Sequence, residues 1–338
     1  MIKFLTLAVK MQLNVHDLNN EAVAGNVTDI RIMEFLDENG KRIPAPAVSG
    51  RMLKHWHYEG MRHLIINGAY SSIPLCVACK IGEPVRPAKL ENGILSHRTA
   101  IEEGAEKVIK QCCICDIHGY LAAIAGGRGA RETTSEGEEQ EPVSERRTSR
   151  VMFSWLMPVL EKIKSQEEMG PVSKQVIHSR VKSGKEFDDK KLTSQMPFNK
   201  SYTSGIYAFV SALDVDRIGL VELNLGNPKI YAIEDEERKN RIKVAIESYR
   251  LILSGKIGAS LSYALPHSNP IEILVAYSET GPLPFSVSPM YSDWLTKTIG
   301  LMPKEQTKFL YFGPESPDEK VEKKEKIDDI FDELLKQI

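Results

Sequence analysis

Phe4-Leu-Thr-Leu-Ala-Val-Lys-Met-Gln-Leu-Asn-Val15 alternates apolar and polar side chains along most of its length. A period of two is the signature of a strand, so the chain opens on β structure. Two further runs, Tyr202–Leu213 and Ile271–Ser278, read as buried strands. Asp29–Leu36 reads as a strand that turns at Asn39-Gly40, and Val151–Pro158 as another. Between them lie two helices. Ser49 is placed to cap the first, with Leu53, Trp56, Gly60 and Leu64 on one face and Arg51, Lys54, His55, Tyr58 and Arg62 on another. The second runs from Asp235 to Ser254, with acidic residues in its first turn. Ile242, Ala245, Ile246, Tyr249, Ile252 and Leu253 form its buried stripe, and Gly255 can close it. Strands and helices in this order, separated by long insertions and without an internal repeat, predict an α+β fold with helices on one face of an antiparallel sheet.

The 338 residues include 44 Lys and Arg against 46 Asp and Glu, a formal charge of −2. With 42% apolar and 27% charged residues, the composition excludes wholesale disorder, collagen and coiled coil. No apolar run reaches the roughly 18 residues of a membrane span. Lys10 interrupts the apolar start and no cleavage-site pattern follows, so a first strand of a cytoplasmic protein is expected rather than a signal peptide. The charge is unevenly spread. Residues 315–338 hold nine acidic and five basic side chains, a local −4, whereas 172–200 hold seven basic and three acidic, a local +4. Bulk charge therefore neither favours nor excludes nucleic acid, while local charge permits it.

The connecting segments are distinct. Residues 69–101 are irregular, and a helix is expected from Ala100 to Gln111. Gly126–Arg150 holds five Arg and six Glu among small polar residues and reads as a mobile loop. Pro171–Lys185 alternates weakly, as an exposed hairpin arm would. Ile327–Ile338 reads as a short amphipathic helix.

Cys76-Val-Ala-Cys79 and Cys112-Cys-Ile-Cys115 form two C-x-x-C pairs, which in a cytosolic protein suit tetrahedral zinc better than disulfides. Four thiolates would leave no open position, so the role would be structural; unrelated buried cysteines are the alternative. Glu145-Arg-Arg-Thr-Ser-Arg150 could offer bidentate donors to phosphate. Ser254-Gly-Lys-Ile-Gly-Ala-Ser260 could present backbone N–H groups and a Lys to an anion, though its spacing is not that of a Walker A loop. His16, His55, His57, His63, His118 and His178 are available for acid–base work on a ribose hydroxyl, but no catalytic motif surrounds them.

Together these segments resemble the RAMP-superfamily backbone subunit of the archaeal CRISPR surveillance complex Cascade, the seventh Cas family, in its type I-A, DevR-type autoregulator branch. The matching pieces occur in order: Leu13-Asn-Val-His-Asp-Leu-Asn19, Gly25-Asn26, Pro46-Ala-Val-Ser-Gly-Arg-Met-Leu-Lys-His-Trp-His57, Cys115-Asp-Ile-His-Gly-Tyr-Leu121 and Arg146-Arg-Thr-Ser-Arg150. Gln195-Met-Pro-Phe-Asn199, Ser204-Gly-Ile-Tyr-Ala-Phe209 and Ile246–Ala259 follow. The likeness extends to about Pro284 and leaves out both the acidic tail and the paired cysteines.

The resemblance implies a modified RRM-like (ferredoxin-like) palm made of residues 1–50, 145–170 and 200–314. It implies a helical fingers insertion over 51–144 with a mobile loop at 126–144, a thumb hairpin over 171–199 and a tail at 315–338. It also implies a non-catalytic subunit whose copies stack head to tail along guide RNA (crRNA), with other Cascade subunits and a target DNA strand as partners. No membrane association and no required cofactor are implied. The palm lip would be Asn14, His16, Asn19, Asn20 and Asn26. Ser49, Gly50, Arg51, Lys54 and His55 would meet RNA phosphates, as would Arg146, Arg147 and Arg150. His178, Arg180, Gln195, Met196 and Phe198 would lie on or beside the thumb, and Gly255, Lys256 and Gly258 at the groove. A CRISPR endoribonuclease of the same superfamily, with His16 or His55 as acid or base, is the main alternative. A zinc-dependent DNA-binding autoregulator is the third.

Overall fold

A computed structural model describes residues 1–17, 20–24, 27–37, 39–91, 93–96, 98–124, 143–159, 172–178, 198–222, 229–256, 261, 262, 264–314 and 318–338. Its centre is a 10-stranded sheet. The opening strand, Phe4–His16, lies between Phe198–Asp214 and His267–Ser278, antiparallel to both. The sheet continues outward from His267–Ser278 through Lys308–Phe312 and Val321–Lys323. On the other side Val27–Ile30 and Asn20–Ala24 extend it, while Val151–Phe153, Met157–Pro158 and Val172–His178 pair along Phe198–Asp214. Two pairings, Val27–Ile30 with the long strand and Val321–Lys323 with its neighbour, are parallel.

The pleat of the opening strand explains its composition. Leu5, Leu7, Val9, Met11 and Leu13 enter one core, shared with Leu53, Met61 and Ile65 of the Gly50–Asn67 helix and the predicted stripe of the Asp235–Leu253 helix. Phe4 and Ala8 point the other way, against Leu283, Trp294 and Met302. Helices were expected on one face only. The Trp294–Leu301 helix instead covers the second face, because a strand apolar on both sides must be covered on both sides.

Other readings are refined. The strand expected at Asp29–Leu36 is two: Val27–Ile30 joins the central sheet and Ile32–Leu36 forms a hairpin with Arg42–Pro46. The strand expected at Val151–Pro158 is broken, and the exposed Ser154 accepts the Val210 N–H through its hydroxyl at 2.8 Å. The Arg98–Gln111 helix is kinked at Gly104. The acidic tail docks: Ile330, Phe331 and Leu334 of the Ile327–Lys336 helix are buried in the main core. Gly50–Asn67, expected at the start of an insertion, belongs to that same core. The stripe it buries is Leu53, His57, Tyr58, Gly60, Met61 and Ile65, rotated from the predicted one, so Tyr58 faces inward. Residues 125–142 of the expected mobile loop lie outside the described residues.

Candidate nucleic-acid groove and four-cysteine cluster

Val48 and Leu156 form an isolated antiparallel bridge, with N···O distances of 3.0 and 2.9 Å. It sets Ser49 and Gly50, which begin the Gly50–Asn67 helix, beside Phe153–Trp155. Ser49 caps as predicted, its hydroxyl accepting the Met52 N–H at 3.2 Å. A Cβ on Gly50 would lie 2.4 Å from the Phe153 carbonyl oxygen, so only glycine lets the helix start this close to the neighbouring chain. No acidic residue occupies the first turn.

The result is a groove of about 920 Å³ lined by Ser49, Gly50, Arg51, Lys54 and His55, five of the sequence candidates. Arg31, Arg86, Trp155, Tyr58 and His118 complete its chemistry. Four Arg and Lys side chains line it, and no carboxylate does among the described residues. Lys54 is half-buried and donates to the His118 carbonyl at 3.0 Å. Burial, then the charges of Arg86 and Arg51, pull its pKa down to about 8. Arg86 sits over the Tyr58 ring at 4.9 Å and donates to the Gly119 carbonyl at 3.4 Å. Arg31 lies 5.9 Å from the Trp155 ring centre. An electropositive pocket at a helix N-terminus, flanked by aromatic faces, suits a phosphate backbone with its bases nearby.

Beneath the groove two histidines are joined. His57 Nε2 lies 2.9 Å from the Ala245 carbonyl, which can only accept, so that nitrogen carries the proton. His57 Nδ1 then accepts from His118 Nε2 at 3.0 Å. Burial holds His57 down to about 3, and His118 well below the ordinary range.

Arg147 and Arg150, two of the three arginines expected on phosphate, are buried. Arg147 meets Asp116 Oδ1 at 2.5 Å and donates to the carbonyls of Asp116 and Leu220. Asp116 also receives Arg241 at 3.0 Å and the Gly219 N–H, and Glu237 meets Arg241 from the other side. Arg150, with no exposed surface, reaches Glu222 at 3.0 Å. These guanidiniums already face carboxylates inside the protein, and only Arg146 of the three is exposed. Arg241 and Glu222 carried no sequence signal, since a single charged residue in a helix or loop looks like any on a surface, and Asp116 stood in the Cys115–Leu121 piece without a role of its own.

The remaining candidates fall elsewhere. Asn14 pairs with His267, and His16 with Thr203, at the far end of the opening strand. His16 is buried edge-on against Tyr207 and, by desolvation, pulled down to about 4, which removes it from the surface role expected of it. Gly255 ends the Asp235–Leu253 helix at φ 88°, next to Ser268, which pairs with Leu13; Lys256 beside it is exposed. These residues form a second locus. Phe153 pairs with Ser211 and Ser211 with Leu7, so Asn14 stands seven residues farther along the strand, about 23 Å from the groove. Asn19, Asn26, Arg180, Gln195, Met196 and Gly258 lie outside the described residues, as do the side chains of Asn20, His178 and Phe198.

The ligand atoms of Cys76, Cys79, Cys112 and Cys115 all lie within 4.8 Å of one another. Cys76 precedes the Val77–Ile81 helix and Cys112 the Cys113–His118 helix, so each C-x-x-C pair wraps one first turn.

Residues 7–299 match the model of a family described as the CRISPR-associated negative auto-regulator DevR/Csa2. The chain belongs to this DevR/Csa2 family. A "CRISPR-associated protein Cas7/Cst2/DevR" of Methanocaldococcus jannaschii is 28% identical over 86% of each chain. Its namesake in Thermoproteus tenax is 26% identical over 88% of this chain and 84% of its own. The "CRISPR-associated aCascade subunit Cas7/Csa2 2" of Saccharolobus solfataricus is 26% identical over 86% of this chain and 84% of its own. A solved chain titled "CRISPR RNA-guided surveillance complex, pre-nicking" aligns over 99% of both chains at 11% identity, with a TM-score of 0.49. The groove residues of this DevR/Csa2 chain all lie inside the matched span. No described helix is long and apolar enough to cross a membrane.

Proposed function

We propose that the chain is a non-catalytic, guide-RNA-binding backbone subunit of a cytoplasmic type I-A Cascade complex, with an RRM-like palm. The observation that carries this reading is the groove: Arg31, Arg51, Lys54 and Arg86 at a helix N-terminus with no lining carboxylate among the described residues, in a DevR/Csa2 chain. A subunit that serves any guide must grip phosphate and ribose and leave base edges outward for a target DNA strand. Fixed cations do this without sequence preference. The polar locus around Asn14, Gly255 and Lys256 stands far enough away to hold a different part of the same strand, together with neighbouring subunits. Gln195, Met196 and Phe198 would act on the thumb, where an apolar tip can wedge between bases. Copies would stack head to tail in an open helical array.

The test is size-exclusion chromatography with light scattering, with and without long single-stranded RNAs of unrelated sequence. Multimers on every RNA, with the RNA intact, support the reading. A chain that stays monomeric and ignores RNA sinks it, and cleaved RNA transfers the role to the endoribonuclease alternative. Duplex DNA bound with sequence preference would favour the autoregulator.

A further inference from the structure

We propose that Cys76, Cys79, Cys112 and Cys115 hold one zinc ion in a closed four-thiolate site that fastens one wall of the groove. The geometry suits a single ion. A zinc–sulfur bond of about 2.3 Å puts the corners of a tetrahedron about 3.8 Å apart. Cys115 Sγ lies 3.8 Å from both Cys76 Sγ and Cys79 Sγ, and no pair in the cluster exceeds 4.8 Å. Sulfurs this close enclose one ion and leave no space for a multi-iron cluster, whose iron atoms and sulfides hold the thiolates apart. All four cysteines are free of disulfides. Three are buried and Cys76 is half-buried, so the site is shielded yet reachable from one side.

The local backbone is arranged for ligation. Each pair spans the first turn of a short helix, where residues three apart share a side. The Cys115 N–H donates to Cys112 Sγ at 3.4 Å, the usual neutraliser of a thiolate corner. Cys113, the fifth cysteine, is fully buried outside the cluster. On binding, four S–H protons pass to solvent and four sulfur–zinc bonds form, with no change of oxidation state.

The consequence is positional. Pro84 and Arg86 follow the first pair and His118 follows the second, and all three line the groove. The two segments also meet where Arg86 donates to the Gly119 carbonyl at 3.4 Å. An ion bonded to both would hold Arg86 and the Lys54 acceptor, the His118 carbonyl, at fixed separation. This inference does not depend on what the groove binds.

Metal analysis of the full chain, purified without chelator, tests it. About one zinc per chain is expected in wild type and in Cys113→Ser, and none in Cys115→Ser. Should Cys115→Ser fail to fold, wild type alone decides: titrating four thiols with a mercurial should release the zinc. Cobalt added to the stripped chain should show the charge-transfer absorption of tetrahedral thiolate ligation. Stripping should also speed amide exchange over residues 84–88 and 115–119 by about tenfold or more. Substoichiometric zinc, stoichiometric iron, zinc retained by folded Cys115→Ser, or unchanged exchange at those two segments would each overturn it.

Discussion

Two arginine-rich regions of this chain look alike in sequence and are opposites in space. In the groove, Arg31, Arg51, Lys54 and Arg86 converge with no lining carboxylate among the described residues. Around Asp116, Arg147 and Arg241 are buried against one carboxylate, with Glu237 and Glu222 at the edges. Buried charge is tolerable only when paired, so the second region is committed to holding the fold. Charge at the surface that no carboxylate neutralises keeps its long-range field and can meet an outside anion. Counting arginines does not separate the two; the position of the nearest carboxylate does.

The contrast can be broken most forcefully at Asp116. Asp116→Ala strands two buried guanidiniums, and unfolding by urea should show a loss of about 3–5 kcal/mol. If stability changes by less than about 1 kcal/mol, the buried region is not a structural node. RNA affinity is the wrong readout for this variant, because the unfolded fraction will dominate it.

Acid attacks the fold by a different route. His16, His57 and His118 are buried with pKa values depressed by desolvation, to about 4 for His16 and about 3 for His57. The unfolded chain takes up these protons below about pH 6.5 and the native chain does not. Stability is therefore full above that pH and falls as pH drops toward 4, by up to about 1.4 kcal/mol per pH unit per histidine. Around His118 the facing groups Lys54, Arg86, His55 and His57 oppose its protonation further. Calorimetry at pH 7.5, 6.0 and 5.0 checks this. A flat melting temperature would mean that the histidines are not buried neutral.

The groove should answer to different substitutions. Arg51→Ala and Arg86→Ala should each weaken single-stranded RNA binding by roughly 1–2 kcal/mol. Each should also lower the salt slope by about 0.7 for every phosphate it leaves unneutralised. Arg51→Ala should leave the urea midpoint nearly unchanged. Equal losses of stability and affinity would erase the distinction between the two regions.

The smallest effect concerns Lys54. Its pKa of about 8 means that it loses charge as pH rises through that value, and a bound phosphate would raise it. RNA affinity should thus decline above about pH 8 in wild type and stay level in Lys54→Arg. A parallel decline in both variants would place the titrating group elsewhere.

Sequence alone determined the parts of this protein that follow a local period. The strand over Phe4–Val15, the stripe of Asp235–Leu253 and the Ser49 cap are present as read, because each depends on neighbours within a few positions. Ser49, Gly50, Arg51, Lys54 and His55 were legible together because one helix start holds them. Arg31, Arg86 and Trp155 were not, since they reach the groove from three other segments. The C-x-x-C spacing announced two cysteine pairs, but only the packing of two short helices brings the pairs within 4.8 Å. The tertiary structure also decided that both faces of the opening strand are covered and that Arg147 and Arg150 turn inward. The physical reason is common to these cases. A period is a property of adjacent residues, whereas burial and charge pairing depend on which distant segment arrives, as Asp116 does at Arg241 across 125 positions.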